Sequence, residues 1–178
     1  LDKAERLEEL INEFFEITRF NIYDITLQYT KINLTRLLEQ LVYEFKPMLK
    51  SKNLQCNLCV DDDIMLRCDA DKIQRVFDNL LRNAVIYSFE NTDITISAQC
   101  QEDTVSIIFC NHGDTLPEEK LNRIFEQFYR LDAARSTSSG GAGLGLAIAK
   151  QIVELHNGTI VAESQEDQNK FSITLPLA

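Results

Sequence analysis

Four of the six glycines in this 178-residue chain fall within six consecutive positions, 140–145. An apolar stretch that is predicted to form a helix, 144–156, begins where the cluster ends. Consecutive glycines allow backbone N–H groups to turn toward one point, and a helix that begins there adds unpaired N–H groups and the positive end of its dipole. The cluster therefore predicts a loop that holds a phosphate chain. Taken alone, it is equally compatible with a flexible loop that ends in a helix cap.

The composition limits which partners the chain can have. Its formal net charge of −10 argues against nucleic acid and against anionic membrane surfaces. A hydrophobic content of 44% is sufficient for the core of one ordinary domain with an additional element. No stretch is long enough to span a membrane, no signal peptide is present, and the chain starts at Leu1 rather than Met. We therefore expect a fragment whose targeting signals lie on another part of a longer protein.

Cysteine usage is typical of an intracellular protein, because the five cysteines are odd in number and follow no disulfide spacing. Cys56 and Cys59 form a CxxC pair, which is a spacing known from zinc and redox sites. The pair lies in a predicted strand, where residues three apart face opposite sides. We therefore expect no shared site.

The spacing of apolar residues divides the chain into two parts. Residues 1–24 are predicted to be mostly one helix, the end of a coiled or bundled helix, and residues 25–178 form a separate domain. In that domain we expect a two-layer α+β sandwich, with helices covering one face of a mixed, mostly antiparallel sheet. The turn at 61–63 is expected to be a solvated hairpin turn. Predicted helices are 34–52, 69–87, 118–125 and 144–156, and predicted strands are 54–60, 64–68, 92–100, 105–111, 159–162 and 171–175.

The helix predicted at 69–87 carries two asparagines four residues apart, Asn79 and Asn83, on one strip beside its apolar face. Asp69 is expected to cap the N-terminus of this helix. Buried amides need partners, and an amide oxygen is a hard neutral ligand that suits Mg²⁺. The pair alone is compatible with an ordinary helix surface, whereas together with the glycine loop it predicts a site for a metal and a phosphate chain.

Five stretches, in order, make the chain resemble the nucleotide-binding domain of bacterial sensor histidine kinases, within the wider superfamily of gyrase, Hsp90, histidine kinases and MutL. They are similar to the family's N box at 79–88, first glycine box at 111–117, F box at 124–132, second glycine box at 141–149 and the exit from the following helix at 156–160. The first helix resembles the second half of the family's dimerisation and phosphoacceptor hairpin. Together with 128–135, it is similar to vancomycin-resistance-type sensors.

The resemblance implies an ATP site built around the helix that carries the two asparagines. Asn83 would coordinate Mg²⁺, and Asn79 would support the metal or the phosphates. Asn111 stands in place of the usual Asp that accepts a hydrogen bond from the adenine amino group, which implies softer selection of adenine. Gly113 would allow close approach to the base, and Tyr87 would flank it.

The resemblance also implies a phosphate loop and a lid. Arg130 and Arg135 would act in catalysis from the two ends of a polar lid, 136–139. Ile86 stands where many relatives carry Lys or Arg, so Arg130, Arg135 or Lys72 would supply that charge. The residues of the second glycine box that are expected to bind the nucleotide are Gly141, Gly143, Leu144 and Gly145.

The implied reaction is phosphoryl transfer from ATP to a protein histidine. In the superfamily's ATPases a Glu at the position of Asn79 activates water, and an asparagine cannot accept that proton. The γ-phosphate is therefore expected to go to a histidine of the hairpin, absent from this chain, for relay to a response regulator. The resemblance further implies a homodimer formed through the hairpin, and a cytoplasmic domain of a protein that upstream segments anchor in the bacterial plasma membrane.

Three alternatives stay open, namely an ATPase or clamp of the same fold, an anti-sigma-type serine kinase and a degenerate nucleotide-binding module. Asn79 counts against the first, and the predicted helix at 1–24 counts against the second. Ile86, Asn111 and Thr115 depart from the family pattern and keep the third alternative open.

Four ring-bearing residues have structural interpretations. His156 is interpreted as a partner of the helix dipole at the C-terminus of the last helix, and His112 as an exposed contact near the base. Phe125 and Phe128 are expected to be core anchors at the base of the lid.

Overall fold

The computed structural model describes residues 26–61, 63–129 and 143–178, together with Leu7, Ile11 and Asn12, which are helical. The boundary between the two predicted parts, at 24/25, lies outside those residues and stays a prediction. Within the described ranges, no helix is both long and apolar enough to cross a bilayer.

Single strands or strand pairs are interleaved with single helices or helix pairs along the described chain. The helices are α1 (Leu34–Glu44), α2 (Lys46–Ser51), α3 (Ala70–Tyr87), the single turn α4 (Glu118–Leu121) and α5 (Gly145–Leu155). The strands are β1 (Tyr29–Asn33), β2 (Gln55–Val60), β3 (Met65–Asp69), β4 (Asp93–Gln101), β5 (Thr104–His112), β6 (Thr159–Gln165) and β7 (Gln168–Pro176).

The main sheet has five strands in the order β2-β4-β5-β7-β6, and β1 and β3 form a separate antiparallel pair. β2 runs parallel to β4, and the other neighbours in the main sheet are antiparallel. Alternate residues of the central strands are buried against the helices; the rings of Phe77 on α3 and Phe109 on β5, for example, lie 5.8 Å apart between centroids. The predicted α+β sandwich, with its mixed and mostly antiparallel sheet, is confirmed.

The hairpin expected at 61–63 is wrong, because β2 pairs with β4 and β3 pairs with β1. Alternation of apolar residues determines which face of a strand is buried, but it leaves the choice of partner strand open. Asp63 has a left-handed backbone conformation with φ of 53°, and its carboxylate accepts a hydrogen bond from Nδ2 of Asn33 at 2.6 Å. The turn therefore takes the chain from one sheet to the other.

The helix predicted at 34–52 is interrupted, because α1 ends at Glu44 and α2 begins at Lys46. Pro47 lies in the first turn of α2, where its missing N–H breaks no hydrogen bond of that helix. A continuous helix would have needed that N–H as a donor to the carbonyl four residues earlier.

The CxxC pair behaves as predicted. Burial alternates along β2, so that Cys56 is half-buried and Cys59 is exposed on the opposite side. Burial raises the pKa of the Cys56 thiol to about 11, which makes it a poor metal ligand and a poor nucleophile.

His156 is buried at the C-terminal end of α5 and bridges two parts of the fold. Its Nε2 accepts a hydrogen bond from the backbone N–H of Asp69 at 3.0 Å. Since this nitrogen is an acceptor, the ring is neutral, and Nδ1 donates to the carbonyl oxygen of Ile152 at 2.7 Å. His156 does lie at the helix terminus, but it acts there as a neutral bridge rather than as a cation on the helix dipole.

We expect His156→Ala to lower the free energy of unfolding by about 2–4 kcal/mol, because it leaves a cavity and a buried N–H of Asp69 without its acceptor. His112→Ala is the matched control, since that ring is only half-buried, and we expect a change below about 1 kcal/mol. Urea unfolding of the two variants measures both values. Equal stability of the two variants would contradict the bridging role.

Candidate functional site

The helix α3 presents one strip of polar side chains next to its buried face. Asp69 caps the helix, since its side chain accepts a hydrogen bond from the backbone N–H of Lys72 at 3.2 Å, as predicted. Asn79, Asn83 and Tyr87 follow one another at intervals of four residues, so they lie on one side of the helix about 6 Å apart along its axis. Asn79 and Asn83 are half-buried and Tyr87 is partly exposed.

Asn79 ties α3 to the first turn of α5. Its Nδ2 donates to the carbonyl oxygen of Gly145 at 3.0 Å. A Cβ at position 145 would lie 3.3 Å from Oδ1 of Asn79, which is tighter than ordinary contact. The glycine therefore lets the start of α5 approach the asparagine closely.

The start of α5 has no side-chain cap among the described residues. Gly143 has a φ of 78°, which favours glycine, and the buried Leu144 at the cap position supplies no side-chain hydrogen bond to the helix. The first N–H groups of an α-helix have no partner within the helix. Gly143, Leu144 and Gly145 are thus placed at an uncapped helix N-terminus, which is a favourable environment for phosphate oxygens.

Asn111 and Gly113 lie at the other end of the strip, where β5 ends. Asn111 is only 2% exposed, and its Nδ2 has no hydrogen-bond partner among the described residues. A Cβ on Gly113 would overlap the carbonyl oxygen of Tyr87 and would lie 3.3 Å from Nδ2 of Asn111. The structure therefore brings Tyr87, Asn111 and Gly113 together, and their role at the base stays a prediction.

The loop that begins at Gly113 is fastened to the turn between β6 and β7, a feature that sequence reasoning missed. The backbone N–H of Gly113 donates to the carbonyl oxygen of Asp167 at 2.9 Å. The hydroxyl of Thr115 donates to the carboxylate of Asp167 at 3.1 Å and accepts from the backbone N–H of Asp167 at 2.8 Å. Thr115 thus gives this loop a fixed attachment.

A second attachment fixes the C-terminal end of α3, and it was also missed. Nζ of Lys52 donates to the carbonyl oxygens of Ile86 and Ser88 at 2.6 and 3.2 Å. The next backbone N–H, of Phe89, donates to the carbonyl oxygen of His112 at 2.8 Å. The segment around Tyr87 is therefore held on both sides.

Several predicted positions stay predictions. Arg130, Arg135 and Gly141 lie outside the described residues, as does the predicted lid. Lys72 precedes Asn83 by eleven residues, or about 16 Å along α3, so it does not lie beside that asparagine; its predicted role in supplying charge at the phosphates stays a prediction. Ile86 is half-buried.

The two phenylalanines of the F box differ. Phe125 packs against the core and its ring makes an edge contact with Phe171, with centroids 6.2 Å apart, which confirms its predicted role. Phe128 is 58% exposed and has a φ of 63°, so its expected role as a core anchor is wrong. Its backbone N–H instead donates to the carbonyl oxygen of Gly143 at 3.0 Å and joins the F box to the glycine loop.

Comparison with known proteins adds to this geometry. A family model for histidine kinase-, DNA gyrase B- and HSP90-like ATPases matches residues 68–178, which include α3, the β5 end and the glycine loop. The chain is 51% identical over 176 residues to the sensor protein VanS of Enterococcus faecium, an alignment that covers 99% of this chain and 46% of that protein. The chain thus spans about half the length of the curated relative that it matches.

Two solved structures extend the comparison. The catalytic domain of the histidine kinase ThkA matches with a TM-score of 0.76 at 27% identity, covering 85% of this chain and 97% of that one. ThkA in complex with the response regulator protein TrrA matches with a TM-score of 0.81 at 26% identity, covering 99% of this chain and 48% of that one.

Proposed function

Because the chain belongs to the family of histidine kinase-, DNA gyrase B- and HSP90-like ATPases, we propose that it is a catalytic domain that transfers the γ-phosphate of ATP to a protein histidine. The observation that carries the proposal is the contact of Asn79 with Gly145, which joins the asparagine helix to the glycine loop. The side chain at this position is an amide, and an amide cannot remove a proton from water.

The neighbouring carboxylate does not replace the missing base. Asp78 precedes Asn79 on α3 but points away from the strip of Asn79 and Asn83 by about 100° of helix rotation. Burial and the nearby Glu44 raise the pKa of Asp78, and Arg82 and Arg75 oppose that effect. Its charge environment is thus made by α1 and by the other side of α3 rather than by the strip of Asn79 and Asn83.

The proposed roles follow the order of residues along the strip. Tyr87, Asn111 and Gly113 would hold the base, and the uncapped start of α5 would hold the phosphates. Asn83 would hold Mg²⁺, which neutralises phosphate charge when it is bound. Asn79 would position the start of α5 for the phosphates.

Arg130 and Arg135 remain proposed contributors of charge at the γ-phosphate, and Gly141 a proposed phosphate contact. In the transfer itself, an imidazole nitrogen of the acceptor forms a bond to the γ-phosphorus while the bond to the β–γ bridging oxygen breaks. ADP leaves, and the attacking ring loses a proton to solvent.

The acceptor would lie on a dimerisation hairpin whose second helix includes residues 1–24, in a homodimer. Leu7 and Ile11, four residues apart, are helical and exposed, which supports packing of that side against another helix. The similarity to ThkA, solved with TrrA, supports a response regulator as a further partner. We also propose that the domain lies on the cytoplasmic side of a sensor anchored in the bacterial plasma membrane.

Labelled ATP with Mg²⁺ tests the function when the chain is incubated alone and with the hairpin of its parent protein. We expect acid-labile phosphate on the hairpin and none on this chain. Acid-labile phosphate on His112 or His156 would contradict the proposal. Steady release of inorganic phosphate would favour the ATPase clamp. Acid-stable phosphoserine on an added protein would favour the serine kinase, and nucleotide binding without transfer would favour the degenerate module.

A further inference from the structure

The side chain of Asn111 is a buried amide with an unused donor. Asn111 lies on the helix-facing side of β5, since it alternates with the buried Phe109, and it is 2% exposed. Its Nδ2 makes no hydrogen bond to any residue that the structure describes. A buried donor without a partner is unfavourable, and a ligand that supplies the missing acceptor is one explanation for its presence.

The neighbouring amide shows that the unused donor is specific to Asn111. Asn169 lies opposite Asn111 on β7 and is also buried. Its Nδ2 donates to the carbonyl oxygen of Asp114 at 3.2 Å, and its Oδ1 accepts from the hydroxyl of Ser164 at 2.6 Å. Of the two adjacent amides, one is therefore used within the protein, and the other has a donor, close to Gly113, that no described residue accepts.

An amide can pair with two kinds of purine. Adenine presents a donor at its 6-amino group and an acceptor at N1. A 6-oxopurine such as hypoxanthine or guanine presents an acceptor at O6 and a donor at N1. An amide offers one acceptor, Oδ1, next to one donor, Nδ2, and a half-turn of the amide exchanges their positions. A carboxylate, in contrast, only accepts and would face O6 with an unfavourable charge.

We propose that Asn111 allows the base site to bind 6-oxopurine nucleotides as well as adenine nucleotides. The inference rests on the proposed function, in that it requires the base to lie against Asn111. Because Nδ2 has no protein partner among the described residues, rotation of the amide breaks no hydrogen bond of that nitrogen. Asn111 is thus a specificity-determining residue that makes the choice of base permissive.

Binding of ATP and of inosine triphosphate, each with Mg²⁺, tests the proposal by isothermal titration calorimetry. Inosine triphosphate differs from ATP only in its 6-oxo edge, so no other group of the base changes. We expect the two dissociation constants of the unmodified chain to agree within about tenfold. The ratio of interest is the dissociation constant of inosine triphosphate divided by that of ATP. We expect Asn111→Asp to raise this ratio by about tenfold or more, because a charge-assisted hydrogen bond to the 6-amino group is gained and the oxo edge is repelled.

Asn169→Asp is the matched control, since it places a carboxylate at a similar depth, where the amide is already hydrogen-bonded to Ser164 and Asp114. We expect this variant to leave the ratio of the two dissociation constants unchanged. A ratio above about tenfold in the unmodified chain would overturn the proposal even if Asn111→Asp does not fold. A ratio that Asn111→Asp leaves unchanged would also overturn it. If ATP itself does not bind, the proposed function fails; if ATP binds and inosine triphosphate does not, only this inference fails.

Discussion

Replacing Gly113 with alanine is expected to weaken ATP and ADP binding by about 100-fold or more, equivalent to about 2.8 kcal/mol. The added Cβ would overlap the carbonyl oxygen of Tyr87 and would lie 3.1 Å from Nδ2 of Asn169. Neither group can move freely, because the first is backbone at the end of α3 and the second is held by the carbonyl oxygen of Asp114. The loop must therefore move away from α3 and lose the hydrogen bond from Gly113 to Asp167. Calorimetric titration with ADP and Mg²⁺ measures the loss.

Gly158→Ala separates this effect from a general loss of stability. Gly158 lies in the turn between α5 and β6, where a Cβ would be 2.5 Å from the carbonyl oxygen of Thr174 and 2.7 Å from Cδ2 of Leu175. Overpacking of this kind costs about 1–3 kcal/mol of stability. We expect Gly158→Ala to lower the melting temperature and yet to bind nucleotide normally while it is folded. Unchanged affinity in Gly113→Ala would show that the base binds elsewhere.

The elements of the fold were predictable because they depend on local periodicity. The apolar spacing of 69–87 predicted α3 to within one residue, and the alternation of 92–100 and 105–111 predicted the strands β4 and β5, which pair with each other. These two strands are adjacent in sequence, so the nearest partner was also the correct one. The same assumption failed for β2 and β3, whose partners are β4 and β1.

The parts of the site that sequence reasoning missed are hydrogen bonds between residues far apart in the chain. Lys52 reaches Ile86 across 34 positions, and Thr115 reaches Asp167 across 52. No local pattern indicates such pairs, since Lys52, Thr115 and Asp167 taken alone are ordinary polar residues outside the helices and strands. The one signal in the sequence was the polar pair at 166–167, which is typical of a turn. Both residues have positive φ in the structure.

Residue type also misled in one place. Phe128 was expected in the core because large apolar side chains are usually buried, yet its backbone contact to Gly143 leaves its side chain outside. The F box and the second glycine box could be predicted to cooperate, because the resemblance assigned both to one nucleotide site. Their joining through the backbone of Phe128 depended on a loop conformation that no periodicity encodes.

Asn83→Ala is expected to abolish the Mg²⁺ dependence of nucleotide binding. Asn83 lies one turn beyond Asn79, whose amide nitrogen is already engaged by Gly145. The side chain of Asn83 is half-buried and has no hydrogen bond to any described residue, so its oxygen is available to a hard cation. We expect ADP to bind the unmodified chain at least about tenfold more tightly with Mg²⁺ than with EDTA, and the variant to bind equally in both.

A matched amide distinguishes this metal contact from a general effect of losing an asparagine. Asn57 is exposed on β2, an edge strand of the main sheet that the site does not include, and Asn57→Ala is expected to keep the full Mg²⁺ dependence. Because Asn83 makes no hydrogen bond to the described protein, its replacement is expected to change the free energy of unfolding by less than about 0.5 kcal/mol. Affinity in EDTA should therefore be the same for all three proteins. If Asn83→Ala keeps the Mg²⁺ dependence, the metal ligand lies elsewhere; if it also loses affinity in EDTA, the side chain contacts the nucleotide directly rather than through a cation.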